Sequence, residues 1–381
     1  MKKEINLHPP SIDRSALKYF EDCIKKNMVS TGGDLISKFE KKIKRYTKSK
    51  YAIAFNSGTA ALHVAIKANN IKEGTEIIAP TLTFVATINA IIYNNCSPIF
   101  MDCDDYFNIN CNKILDFFKN ETFQKNGKTF NKKTKKNISA LIVTHVWGNA
   151  VNLKELIKEC KTRGLIIIED ASESLGTFYK KKFTHTGTIG DAGVISFNAN
   201  KIITSGGGGM LLTQKKEIAE KAYYLSTQAK NDSFNFVHDE VGYNYRMINI
   251  AAALGLSQFD SLEYFLAKKK IIRQKYLKEI SKTKNFKLNL VPDYAQNNCW
   301  MNLAQFVGRK KIKKRIIKKF VKNKIFIRPV WKLNHTQLAF KKFQSYKIKK
   351  AYDLFNKSIC LPSSPFLTTS EIKKIISFFH E

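Results

Sequence analysis

Two side chains define the chemistry open to this chain. Asp170 follows Glu169 at the end of the aliphatic run LIIIED, and Lys201 stands between the apolar run AGVISF and the glycines Gly206 to Gly209. A run of β-branched residues ending in acids reads as a central parallel strand, and open α/β sheets place their ligands beyond the carboxyl ends of such strands. AGVISF reads as a neighbouring strand, and the glycines behind it let backbone come close to whatever the lysine holds. A lysine and an aspartate facing one pocket suit pyridoxal phosphate. The amine forms an imine with the cofactor's aldehyde, and the carboxylate keeps the pyridinium nitrogen protonated so that the ring accepts electrons. With 65 Lys and Arg in the chain, a lysine is ordinarily a solvated surface group, and only its neighbours single this one out.

The elements that must position these groups are readable around them. YAIAF reads as a strand that turns sharply into the helix NSGTAALHVAIKA. The small residues Ser57, Gly58, Thr59 and Ala60 leave amide N–H groups free at the helix start, where the dipole favours an anion such as a phosphate. An ordinary Ser or Thr cap gives the same pattern. EIIAP is a further strand, stopped by Pro80 and followed by a helix from near Thr83, with Phe84 at its start. SPIFMD, ending in Asp102, and SALIVTHV continue the alternation of strands and helices, which calls for a largely parallel sheet covered on both faces.

Outside this rhythm, Ser11 reads as the cap of a first helix with Leu17, Phe20 and Ile24 on one face, and a second helix carries Leu35, Phe39 and Ile43. Residues 119–137 are polar and basic without apolar periodicity, which predicts an exposed loop. From about residue 249 an Ala/Leu-rich helix and a lysine-rich segment lead into a smaller α+β unit. The expected division is a large α/β domain over residues 1–250 and a small one over 251–381.

The chain has 381 residues, enough for two substantial cores, and its hydrophobic fraction of 44% is ordinary for a globular protein. Its net charge of +34 suits anionic ligands, but the lysines are scattered over helix faces and no nucleic-acid-binding pattern accompanies them. Seven cysteines lie singly without metal-ligand spacing, as expected of reduced thiols and of a protein with no metal site. MKKEINLHPPS breaks into polar residues and prolines before any apolar core of signal length, and no apolar run approaches the ~20 residues needed to cross a bilayer. A cytoplasmic protein bound to neither membrane nor nucleic acid is the expectation.

FNSGTAALHVAI, EDASES, GDAGVISFNANKIITSGGGG and GYNYRMINIAAALGLSQ occur in that order. Together they resemble the DegT family of nucleotide-sugar aminotransferases, fold-type I enzymes dependent on pyridoxal 5'-phosphate, over nearly the whole chain. The resemblance implies a large mixed, mostly parallel sheet domain and a small C-terminal α+β domain. It implies that Lys201 is the catalytic lysine and Asp170 the partner of the ring nitrogen, that Gly58, Thr59, Ala60 and Ser196 hold the cofactor phosphate, that Phe84 stacks on the pyridine face, and that Glu173 lies beside the phenolic oxygen. Asn244 would reach the cofactor phosphate of a neighbouring subunit, making the enzyme at least a homodimer with a shared active site. On the substrate side the candidates are Arg246, which also suits an interface, with Trp300, Asn302, Arg328, Trp331 and His335.

Two departures narrow the expectation. Asn198 replaces the family's usual histidine after SF, and Gly207 or Gly208 stands where a glutamate is frequent. Both point to the subgroup that aminates 4-keto-6-deoxy-N-acetylhexosamine nucleotides, including enzymes of the legionaminic-acid pathway. The implied reaction moves an amino group from L-glutamate to C4 of a nucleotide-diphosphate 4-keto sugar, for a bacterial surface sugar, with GDP-perosamine-type amination as the alternative. A sugar dehydratase of the same fold would carry histidine in place of Lys201, and a regulator would need a DNA-binding module that the sequence lacks.

Overall fold

The computed structural model describes residues 4–12, 14–232, 234–307 and 311–379, the side chains of 311–314 excepted. Its centre is a ten-stranded mixed sheet. The aliphatic strands Ser97–Met101, Glu76–Pro80, Asn137–Thr144, Ile166–Asp170 and Ala192–Ser196 lie side by side in that order and run parallel. Four of the five strands are buried almost throughout and the fifth, Asn137–Thr144, over its second half, because helices cover both faces of the sheet. Gly209–Thr213 turns back antiparallel to Ala192–Ser196 and pairs with Tyr51–Phe55 at the edge. Parallel strands all end on the same side, so Pro80, Thr144, Asp170 and Ser196 come to one rim of the sheet. That shared rim gathers residues far apart in sequence.

A second sheet of four antiparallel strands, Phe286–Leu288, Asn302–Phe306, Ser358–Leu361 and Arg328–Pro329, forms the core of the C-terminal part. The two parts interlock. Ser345–Tyr346 adds a parallel strand to the large sheet beside Ser97–Met101, and Ile5 pairs with Ile325. Among the described residues no helix is long and apolar enough to cross a membrane.

The expected exposed loop over 119–137 is instead a helix end and a β-hairpin, Thr122–Lys125 with Lys128–Asn131, that pairs with Asn137–Thr144. Asn126 and Gly127, at φ 50° and 70°, form the left-handed two-residue turn that matches hairpin twist. Phe123 stacks on Phe130 across it at 5.5 Å, a cross-strand pair masked by the surrounding lysines. The first helix also differs from expectation. It spans Ser15–Lys25, is preceded by Arg14 rather than capped by Ser11, and buries Ala16 and Cys23 while Leu17 and Ile24 stay exposed. Small residues face inward because this helix lies close against the helix Asn249–Asp260.

Asp102, just beyond the strand Ser97–Met101, ties the C-terminal part to the large sheet. Its buried carboxylate accepts the amides of Lys349, Lys350 and Ala351 at 2.8, 2.9 and 2.7 Å, together with the Lys113 ammonium. Burial alone raises this carboxyl, but Lys113 and the three amides outweigh burial and hold it below its ordinary value. Its stabilisation is therefore present above the ordinary carboxylate range and is lost as pH falls through the lowered value. Asp102→Ala leaves five donors, the Cys103 amide at 2.9 Å included, without this acceptor and should lower the unfolding free energy by about 3 kcal/mol. Urea denaturation at pH 7 checks this, and an unchanged midpoint would refute it.

Candidate active site

The rim encloses a cavity of about 250 Å³ lined by Gly58, Thr59, Thr83, Phe84, Thr144, Asp170, Ser172, Glu173, Ser196, Asn198, Lys201, Gly208, Trp300 and Trp331, among others. Successive residues of a strand point to opposite faces, which separates the two acids at the end of Ile166–Asp170. Asp170 faces the cavity. Its Oδ2 accepts the Thr87 hydroxyl at 2.6 Å and its Oδ1 the Ser172 amide at 3.1 Å. Glu169 faces away and accepts His145 Nε2 at 2.9 Å with the amides of Gly187, Ile189 and Gly190. Burial works to raise Glu169, and these donors reverse it and hold the carboxyl below its ordinary value. His145 in turn accepts the Val151 amide through Nδ1, so Glu169 fixes the loop carrying Trp147.

Lys201 leaves the sheet on the turn after Ser196 and is nearly enclosed. Its Nζ lies 3.6 Å from Glu173 Oε1 and 4.4 Å from the centre of the Trp300 ring. Glu173 Oε2 accepts the amide of Trp147 at 2.8 Å, a residue held at φ 56°. Burial pushes the Glu173 carboxyl up to about 7, against the opposing pull of Lys201 and the Trp147 amide. A carboxyl poised near neutrality thus sits against the amine.

The helix Gly58–Ala68 begins at the opposite wall. Ser57 caps it by accepting the Ala60 amide at 3.0 Å, which leaves the first-turn amides of Gly58 and Thr59 without intrahelical acceptors beside Ser196. Ala60 is thereby used by the cap and does not line the cavity. The approach is close: a Cβ on Gly58 would stand 3.0 Å from Ser196 Cβ, and one on Gly209 2.6 Å from the Ser57 carbonyl. The glycine run therefore lets its strand pass this turn.

The chain's three tryptophans meet here. Trp147 stacks on Trp331 at 4.1 Å and on Trp300 at 5.8 Å, and Trp300 Nε1 donates to the Asn200 carbonyl at 2.7 Å. Phe84, half exposed, lies 6.0 Å from Trp331.

The remaining substrate-side candidates lie elsewhere. Arg246 pairs with Glu40, donates to the Ala54 carbonyl at 3.1 Å and stacks on Tyr223, fastening the second helix to the edge strand. Asn302 is buried in the small sheet, bonded to Ser363 and Arg273. Arg328 lies exposed on its edge strand. His335 is held between Thr81 and Tyr352. Each sits near a family-like segment, but the bonding partners of Arg246, Asn302 and His335 hold them outside the cavity, and Arg328 stands on an exposed edge. Asn244 is exposed and outside the cavity, its carbonyl accepting Asn56 Nδ2 at 3.2 Å. Sequence reasoning missed Thr87 and Trp147, and no local pattern distinguishes either from a core residue.

The cavity fits pyridoxal phosphate: a near-enclosed amine, a buried carboxylate oriented by two donors, and a helix start whose free amides lie close against Ser196. Fold and site together define a pyridoxal-phosphate-dependent aminotransferase of fold-type I. The chain belongs to the DegT/DnrJ/EryC1/StrS aminotransferase family, whose pattern matches residues 10–380, and is a sugar aminotransferase. It is 32% identical to GDP-perosamine synthase of Escherichia coli O157:H7 over 100% of this chain and 98% of that protein. It is also 32% identical to UDP-4-amino-4,6-dideoxy-N-acetyl-beta-L-altrosamine transaminase of Campylobacter jejuni strain 81-176, over 76% of this chain and 73% of that one. In fold it is similar to Helicobacter pylori PseC, an aminotransferase involved in the biosynthesis of pseudoaminic acid, with a TM-score of 0.88, 23% identity and coverage of 99% and 98%.

If Glu173 titrates against the Lys201 amine, the pH profile of kcat/KM carries an ionisation near 7. Glu173→Gln should abolish that ionisation and lower kcat/KM about 10- to 100-fold. A profile unchanged by the substitution would refute the role.

Proposed function

We propose that the chain transfers the amino group of L-glutamate to C4 of a nucleotide-linked 4-keto-6-deoxy sugar in the cytoplasm, as a homodimer with shared active sites. The observation that carries this reading is the single cavity holding the Lys201 amine between Glu173 and the Trp300 ring, with Asp170 and the Gly58–Thr59 helix start in its walls. Bound pyridoxal phosphate supplies an electron sink for the pair left when the donor's α-carbon loses a proton. Lys201 Nζ takes that proton and returns one on the sugar side, with Glu173 beside it. Asp170, oriented by Thr87 and Ser172, would hold positive charge at the ring nitrogen. Gly58, Thr59 and Ser196 would hold the phosphate and Phe84 would face the ring, while the tryptophan wall excludes water from the amine.

The names of the relatives support C4 amination, since perosamine and the aminated altrosamine are both 4-amino sugars. Asn198 and the glycine run favour an N-acetylhexosamine nucleotide and a product such as legionaminic acid. The end-to-end likeness to GDP-perosamine synthases favours a second reading, a GDP-linked 4-keto-6-deoxyhexose. The shared site is supported by Asn244, which lies outside its own cavity, and by Phe234, Val241, Ile248 and Ile250, all exposed nearby in the chain.

Borohydride reduction of the holoenzyme followed by peptide mapping should place the reduced cofactor on Lys201, and Lys201→Ala should lose more than about 10³-fold in kcat. A label on another lysine overturns the reading. Incubation with glutamate and a panel of UDP- and GDP-linked 4-keto sugars, with product identification by mass and NMR, decides between the two substrates. For the shared site, mixing inactive Lys201→Ala and Asn244→Ala proteins should restore part of the activity through hybrid dimers. No recovery after verified subunit exchange refutes it.

A further inference from the structure

Behind the tryptophan wall lies a second enclosed lysine that the reaction does not use. Lys269, in the middle of the helix Leu262–Ile280, is 1% exposed. Its Nζ donates to the Trp300 carbonyl at 3.0 Å, to the Ser363 carbonyl at 2.7 Å and to His8 Nε2. An ammonium has three N–H donors, and here it meets three acceptors, none of them a carboxylate. A buried ammonium without an anion is costly, so its retention needs a reason. Each acceptor belongs to a different element. His8 lies in the N-terminal strap, whose Leu7 carbonyl accepts the Ser363 amide at 2.7 Å and whose Ile5 joins the small part at Ile325. Ser363 follows the small sheet and accepts the Asn302 amide through its hydroxyl. Trp300 carries the ring that covers the Lys201 amine, and His8 lies 6.4 Å from the same ring.

We propose that Lys269 is a positioning residue for the active site: with His8 it clamps the backbone of Trp300, and its buried positive charge acts through that ring on Lys201. The clamp fixes the wall of the cavity from outside, linking the strap, the small sheet and the catalytic lysine through one nitrogen. Other charged or titratable groups around it are Cys299, whose effect on the amine opposes that of burial, Arg273 and Tyr276 on its own helix, and Lys201, whose charge also acts on His8. Burial lowers the amine to about 7, so it loses its charge as pH rises through that value. The proposal rests on the pyridoxal phosphate site and is independent of which sugar is aminated.

Two substitutions separate the charge from the packing. Lys269→Met removes a like charge near Lys201, so the pH midpoint of the bound cofactor's absorption should rise by about half a unit, roughly a threefold gain in proton affinity. Lys269→Arg keeps a charge that does not titrate, and its midpoint should stay at the wild-type value or move down. Coincident midpoints for the methionine variant and wild type, or an upward shift in both variants, overturn the proposal, because a packing role alone has no such sign. His8→Ala, which leaves the amine in place, serves where the Lys269 variants fail to fold. In cofactor-free His8→Ala, labelling of Lys201 by an amine-acylating reagent should be about fivefold faster than in wild type, the loosening expected from one lost hydrogen bond. An unchanged labelling rate overturns the clamp. All of these readouts are independent of the sugar, so a negative result here leaves the substrate reading standing.

Discussion

A primary amine held out of water is the constraint on which the rest of the molecule depends. Lys201 keeps its amine inside a cavity, where an isolated charge is expensive, and the protein meets this with a carboxyl at 3.6 Å and an aromatic face at 4.4 Å. Each of those partners needs its own anchor. Glu173 is fixed by the amide of Trp147, whose left-handed backbone sits on a loop tied down through His145 and Glu169. Trp300 is fixed at both ends, by its indole on Asn200 and by its carbonyl on Lys269. The positions of these groups are therefore set by layers of buried hydrogen bonds.

The parallel sheet supplies the geometry for those layers. Because five parallel strands end together, a hydroxyl from Thr83, another from Thr144 and the carboxylate of Asp170 share one rim, linked by bonds of 2.6 to 3.1 Å through Thr87. Thr83 lies on the short connection after Pro80 and Thr87 in the first turn of the helix Val85–Tyr93 that follows. A chain of hydroxyls in a dry site orients the carboxylate with little rotational freedom, which suits the proposed contact with a ring nitrogen. Facing it, the helix start at Gly58 and Thr59 offers partial positive charge, so the two ends of the cavity are electrostatically opposite.

Much of this was legible in the sequence. The aliphatic runs that alternate with helices define the α/β sheet, and Asp170, Lys201, Gly58 and Thr59 could be picked out because a strand-end acid, a glycine-flanked lysine and a small-residue turn are local patterns. Glu173, Ser196, Phe84, Trp300 and Trp331 followed from the family resemblance and do line the cavity. Arg246, Asn302, Arg328 and His335 fell outside it because a polar residue near a family-like segment is free to bond in either direction, and only packing fixes which. The hairpin at 122–131 was obscured by its lysines, although its Asn126-Gly127 turn was visible.

What the sequence determined by itself is the run of central strands and helices, the sites of strand ends and a lysine set apart by its glycine-rich neighbours, because these depend on residues within a few positions of one another. Which carboxylate faces the cavity, how three distant tryptophans form one wall and why a second lysine is buried behind it were decided only in three dimensions. Those facts depend on the pleat of a strand, on the crossing of chain segments more than a hundred residues apart and on the exclusion of water. Local sequence carries no record of such encounters.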